Sequence, residues 1–129
     1  MRIIGSGVDI VSLTRLYRLG RAGKLAFWLR AFTEREVLDT GSIEERKTVR
    51  YLAGNFAIKE AVYKACGGTD CGEIDWKEIE IRRSMAGQPT VTTSGDFNQA
   101  CEYLGIKTWS ASIAYTSAYV VATAIALSD

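Results

Sequence analysis

The chain has 129 residues and nearly balanced charge, 16 basic against 15 acidic side chains. That length and apolar content suit one domain with its own core, and the balance argues against a bulk nucleic-acid binder. Histidine is absent, which removes the usual general base, the usual metal ligand and every triad built on imidazole.

The three cysteines, Cys66, Cys71 and Cys101, form no Cys-x-x-Cys pair. They point away from a zinc site and from a disulfide-stapled scaffold, and free thiols fit a reducing compartment. The start Met1-Arg2-Ile3-Ile4-Gly5 does not read as a signal peptide, and the apolar run Ala118 to Leu127 is too short to span a bilayer. A cytoplasmic protein with no membrane partner is therefore expected. Charge is uneven along the chain. Residues 1–35 carry seven basic and two acidic groups, a net +5, and residues 36–129 carry nine and thirteen, a net −4. A basic first third predicts an acidic or phosphorylated partner.

Arg2 to Val8 reads as a short buried strand. Ser12 is placed to cap a helix with Leu13, Leu16, Tyr17 and Leu19 on its apolar side. Arg15, Arg18, Arg21 and Lys24 form a basic stripe beside Leu19, with Gly20 and Gly23 as breakers. Leu25 to Phe32 reads as a short buried helix, and Thr33-Glu34-Arg35-Glu36 fits a capping box. A second such box at Ser42 to Glu45 starts a long helix running to about Cys66, where Gly67-Gly68 stops it.

Beyond Trp76 the period changes. Ile79 and Ile81 alternate with Glu80 and Arg82, Ala86 to Pro89 turns, and Thr90 to Thr93 returns as a strand. Asp96 to Leu104 is helical in pattern, and Thr108 to Tyr115 with Tyr119 to Leu127 reads as a hairpin. A strand and helices early, then antiparallel strands, give an α+β fold in one small domain over residues 1–129.

The chemistry-bearing candidates are few. Glu60 and Lys64 lie four apart on the long helix and share a face. Taken alone, they read as an exposed ion pair. Asp9 follows Gly5-Ser6-Gly7-Val8 at the end of the first strand, where a cap or turn role is equally open. Glu60 sits on a largely apolar face, where a carboxylate needs a partner, and a magnesium ion is one such partner. Lys59 and Lys64 are placed to neutralise phosphate. Spacing alone does not bring Asp9 to Glu60.

Several motifs occur in order: Gly5-x-Gly7-x-Asp9-Ile10-Val11, Phe32-Thr33-x-x-Glu36, Leu52-Ala53-Gly54-x-Phe56-Ala57-x-Lys59-Glu60-Ala61-x-x-Lys64-Ala65, Trp76-x-x-Ile79-Glu80-Ile81 and Gly87-x-Pro89. Together they resemble the holo-acyl-carrier-protein synthase family of phosphopantetheinyl transferases over nearly the whole chain. The resemblance implies a 4′-phosphopantetheinyl transferase-like fold and a small homotrimer with active sites between subunits. It implies transfer of the 4′-phosphopantetheine arm of coenzyme A (CoA) to a serine of apo acyl carrier protein, releasing adenosine 3′,5′-bisphosphate. Carried over, Asp9 and Glu60 are the ligands of Mg²⁺, and Glu60 and Lys64 are the catalytic pair. Lys64 contacts the CoA phosphate, and Lys59, Lys47, Arg50 and Ser112 are further candidate CoA contacts. Arg15, Arg18, Leu19, Arg21 and Lys24 form the carrier-docking stripe. For the serine proton, the candidates are Glu60 and a metal-polarised water.

Three positions depart from that pattern. Asn55 stands where the family usually has arginine, and Ser110 and Tyr115 stand where it usually has histidines. An asparagine cannot supply the fixed charge and fork of an arginine. The expectation is a working enzyme whose CoA phosphates meet other basic groups, Lys47 or Arg50. The alternative is a non-catalytic or weakly active relative that binds carrier protein or CoA.

Overall fold

A computed structural model describes residues 1–21, 30–40, 46–68 and 73–129, with side chains described outside 19–21. The second capping sequence, Ser42 to Glu45, the loop around Cys71 and most of the 25–32 segment lie outside the described residues.

Strand β1, Ile3–Ser12, pairs antiparallel with β5, Tyr119–Leu127, which pairs antiparallel with β4, Thr108–Tyr115, in the order β1-β5-β4. The last strand thus fills the centre of the sheet. β1 is longer than its Ile-rich start predicts, because pairing continues to Ser12↔Tyr119 and Leu13 N then donates to Ala118 O at 2.9 Å. Asp9 consequently lies within the strand, opposite Ala122, rather than at its end. β2, Ile79–Arg83, and β3, Pro89–Thr93, form a separate antiparallel pair.

Helix α1, Leu13–Arg21, follows β1 directly; Ser12 Oγ accepts from Arg15 N at 3.3 Å, the expected cap. The short α2, Glu34–Leu38, carries the full capping box of Thr33 and Glu36. The long helix α3 runs Arg46–Ala65, and α4 spans Gly95–Tyr103 before Gly105, whose φ of 82° favours glycine.

α3 packs on one face of the three-stranded sheet, against β1 and β5. Val120, Ala122, Ala124 and Ala126 point into this contact and are fully buried, as are Ala53, Ala57 and Ala61 of the helix. Small residues on both sides let helix and sheet approach closely, and Leu13, Leu52, Ile58 and Val62 fill the remaining core. The opposite sheet face is open: Val8 and Ile10 of β1 are 57% and 62% exposed.

Candidate functional site

Gly5 and Gly7 set the site. A Cβ on Gly7 would overlap the carbonyl oxygen of Ala61, and one on Gly5 the carbonyl oxygen of Ala65. Only glycine lets β1 lie this close to the α3 backbone. The next inward residue is Asp9, and the contact delivers its carboxylate to the same stretch of α3 that carries Glu60 and Lys64. Lys64 Nζ donates to Asp9 Oδ1 at 2.9 Å and to Val8 O at 3.2 Å. The helix lysine therefore pairs across to the strand, not with Glu60 four residues back.

Asp9 and Glu60 line one cavity of about 580 Å³ with Ser12, Arg15, Phe56 and Tyr119. Burial pushes the Glu60 carboxyl above its usual pKa of 4.5, and the Asp9 charge pushes it further up while Lys64 pulls it back. Lys64 is raised in turn, chiefly by its hydrogen bond to Asp9. Two neighbouring carboxylates, one desolvated, are under-compensated by one half-exposed ammonium. Among the described residues no cluster of three or more acidic, histidine or cysteine groups occurs. A donor set of two hard oxygens suits Mg²⁺, which takes one or two protein carboxylates and fills its sphere with water and phosphate.

Residues 5–124 match the 4′-phosphopantetheinyl transferase superfamily. The holo-[acyl-carrier-protein] synthase of Natranaerobius thermophilus is 35% identical over 127 residues, 98% of this chain and 99% of that protein. The synthase of Alteromonas mediterranea is 38% identical over 125 residues, 97% of each chain. The chain belongs to the holo-acyl-carrier-protein synthase family. Its fold agrees: the crystal structure of the Neisseria meningitidis synthase superposes with a TM-score of 0.83 at 33% identity, covering 98% of this chain and 99% of that one. The Helicobacter pylori synthase, solved in complex with coenzyme A, gives 0.79 at 27% identity over 95% of this chain and 99% of that one.

Against the pattern expected of a family member, Lys59 requires correction. It is fully buried, and its ammonium donates to Glu36 Oε1 at 2.7 Å, Ala31 O at 2.7 Å and Trp76 O at 3.0 Å. All three donors are used inside the protein, so it holds no CoA phosphate. Burial pushes the Glu36 carboxyl up and the Lys59 amine down, while each partner opposes the other's shift.

Lys47 is exposed at the start of α3. Arg50 donates to Thr116 O at 3.1 Å and stacks on the Tyr115 ring, its Cζ 4.5 Å from the centroid. Ser112 is exposed on the open sheet face and paired with Thr123. Arg15 and Arg18 are exposed on α1, and Arg15 borders the cavity. The Leu19 and Arg21 side chains and all of Lys24 lie outside the described residues.

A residue not singled out from sequence, Arg83 of β2, comes to Asn55. Its Nε and Nη2 both donate to Asn55 Oδ1, at 3.0 and 2.9 Å, and Nη2 also donates to Tyr51 O at 2.9 Å. The fully buried Asn55 turns its Nδ2 to Glu36 Oε2 at 3.4 Å. Tyr115 points inward beside this group, and a Cβ on Gly54 would overlap its hydroxyl. Nothing local in the sequence announces Arg83, because it reaches α3 from a strand 28 residues away.

Proposed function

We propose that the chain transfers 4′-phosphopantetheine from CoA to a serine of an apo acyl carrier protein in a Mg²⁺-dependent reaction. The observation that carries this reading is the convergence of Asp9 and Glu60 at one cavity, with Lys64 bonded to Asp9, in a family member. Asp9 and Glu60 would hold Mg²⁺, which, when bound, supplies Lewis-acid charge at a pyrophosphate. The serine oxygen attacks the β-phosphorus of CoA. The bond from that phosphorus to the bridging oxygen breaks, and adenosine 3′,5′-bisphosphate leaves.

Such transfers depend mainly on positioning and on charge placed at the phosphate oxygens. Lys64 is held at the carboxylates by Asp9 and Val8 O, half-exposed, so its charge is oriented toward a phosphate before one arrives. Glu60 serves the serine proton. In the metal-free protein, burial and the Asp9 charge both favour the protonated form of this carboxyl. Arg15, beside the cavity, and the exposed Arg18 would meet the acidic surface of the carrier, steering its approach in a salt-sensitive way.

The open sheet face supports assembly into a homotrimer. Val8, Ile10 and Tyr119 expose apolar surface beside the cavity that Asp9 and Glu60 line. Light scattering is expected to give about 43 kDa, three times the 14.2 kDa chain. The reaction is tested by following adenosine 3′,5′-bisphosphate release with CoA, Mg²⁺ and apo carriers of several kinds. Product that requires carrier and disappears with chelator supports the transferase. CoA or carrier binding without product would mark a binding relative instead.

A further inference from the structure

The buried network around Asn55 holds one carboxylate, Glu36, and two cations, Lys59 and Arg83. Lys59 takes the carboxylate at 2.7 Å. Arg83 meets only neutral oxygens, Asn55 Oδ1 and Tyr51 O, and its Nη1 makes no hydrogen bond among the described residues. Asp39, a neighbouring acid, is paired with Arg82 at 3.0 Å.

Arg50 repeats the pattern, since its partner is the Thr116 carbonyl rather than a carboxylate. Both guanidiniums rest on the same aromatic ring, with Cζ 4.5 Å (Arg50) and 5.8 Å (Arg83) from the Tyr115 centroid, and Arg83 also lies 4.2 Å from the Tyr51 centroid. Both side chains are half-buried. Two guanidiniums fixed by stacking and by neutral acceptors, without a counter-ion among the described residues, are pre-organised for a doubly charged anion.

We propose that Arg83 and Arg50, seated on Tyr115, form an anion site that takes a phosphate group of the CoA substrate, with Asn55 positioning Arg83. This rests on the reading that the chain uses CoA. The cation expected at position 55 thus arrives from β2, and the neutral asparagine is its anchor. Asn55 accepts two of Arg83's donors while its amide closes on Glu36, so the side chain that lacks the charge determines where the charge sits.

The test is calorimetric titration of CoA into the full chain and its Arg83→Ala, Arg50→Ala, Asn55→Ala and Arg82→Ala variants, with steady-state kinetics on an apo carrier. Arg83→Ala and Arg50→Ala are expected to weaken CoA binding by about tenfold to a hundredfold and to raise KM for CoA, leaving kcat within about twofold. Asn55→Ala falls between wild type and Arg83→Ala, and its loss also appears in KM rather than kcat. Arg82→Ala removes the same formal charge from the same strand but from an ion pair with Asp39, and it should bind CoA as wild type does.

Wild-type CoA affinity in both Arg83→Ala and Arg50→Ala would overturn the site. Circular dichroism identifies a variant that fails to fold; if Arg83→Ala does, Arg50→Ala decides alone. CoA binding that depends on both arginines without carrier turnover keeps the site and removes the transferase reading. No CoA binding by wild type removes both.

Discussion

Lys59 and Lys64 lie five residues apart on α3, and the helix turns them about 140° from one another. Lys59 faces the interior. Its ammonium is enclosed by Glu36 and two backbone carbonyls, and that pair continues through Asn55 to Arg83. Lys64 faces β1, with its side chain 51% exposed and bound to an Asp9 that Glu60 already repels. The first cluster has every charge on Lys59 and Glu36 satisfied. The second has two carboxylates to one ammonium and room for something else. One cluster holds the fold together and, in the proposed reaction, the other carries the chemistry, although both draw on the same motif.

That contrast separates loss of activity from loss of stability. At the chemical cluster, Asp9→Asn and Glu60→Gln should each cut carrier modification by about a thousandfold or more, measured by initial rates at saturating CoA, because several kcal/mol of charge stabilisation go with the ligand. Both variants should stay folded. At the buried cluster the order reverses. Lys59→Met leaves the buried Glu36 without its cation, and denaturant titration should show a loss of about 3–5 kcal/mol. A Lys59→Met protein as stable as wild type would erase the distinction between the two lysines.

Gly7→Ala tests the join between them. The added Cβ meets the Ala61 carbonyl, so β1 must move off α3 at a cost of about 1–3 kcal/mol. Since Asp9 travels with β1, activity should fall further than the stability change accounts for.

The smallest effect is a titration. The Glu60 carboxyl is raised, so in the free protein it protonates at a pH above 4.5, and metal affinity should fall as pH drops through that midpoint. In Asp9→Asn the midpoint moves down yet stays above 4.5, because burial is the larger cause. Carboxyl-carbon NMR reads both. The linkage sign follows: a raised carboxyl contributes stability at low pH and loses it as pH rises through the folded value. Glu60→Gln should therefore melt slightly higher than wild type in mild base, with the gain gone in acid.

Much of the fold was legible in the sequence. Helical spacing from Val49 to Lys64 gave α3, the Thr33 and Glu36 pair gave the α2 cap, and alternation gave the β2–β3 and β4–β5 hairpins. β1 was read too short because its later half alternates exposed Val8 and Ile10 with inward residues, so its apolar run looked complete at Val8. The meeting of Asp9 and Glu60 was not in the spacing; it came with the family resemblance, and the glycines explain it physically. Lys59 was misread because residue type and helix position do not reveal that Glu36, from another element, faces the same buried point. Arg83 was missed for the same reason in reverse, since β2 carries it to Asn55 from 28 residues along the chain.

The most direct measurement is titration of Mg²⁺ into the protein with CoA bound. One ion per chain, bound by wild type and by Arg82→Ala but lost in both Asp9→Asn and Glu60→Gln, is the result expected of two carboxylates sharing a cation. Magnesium binding left intact by both substitutions would contradict it.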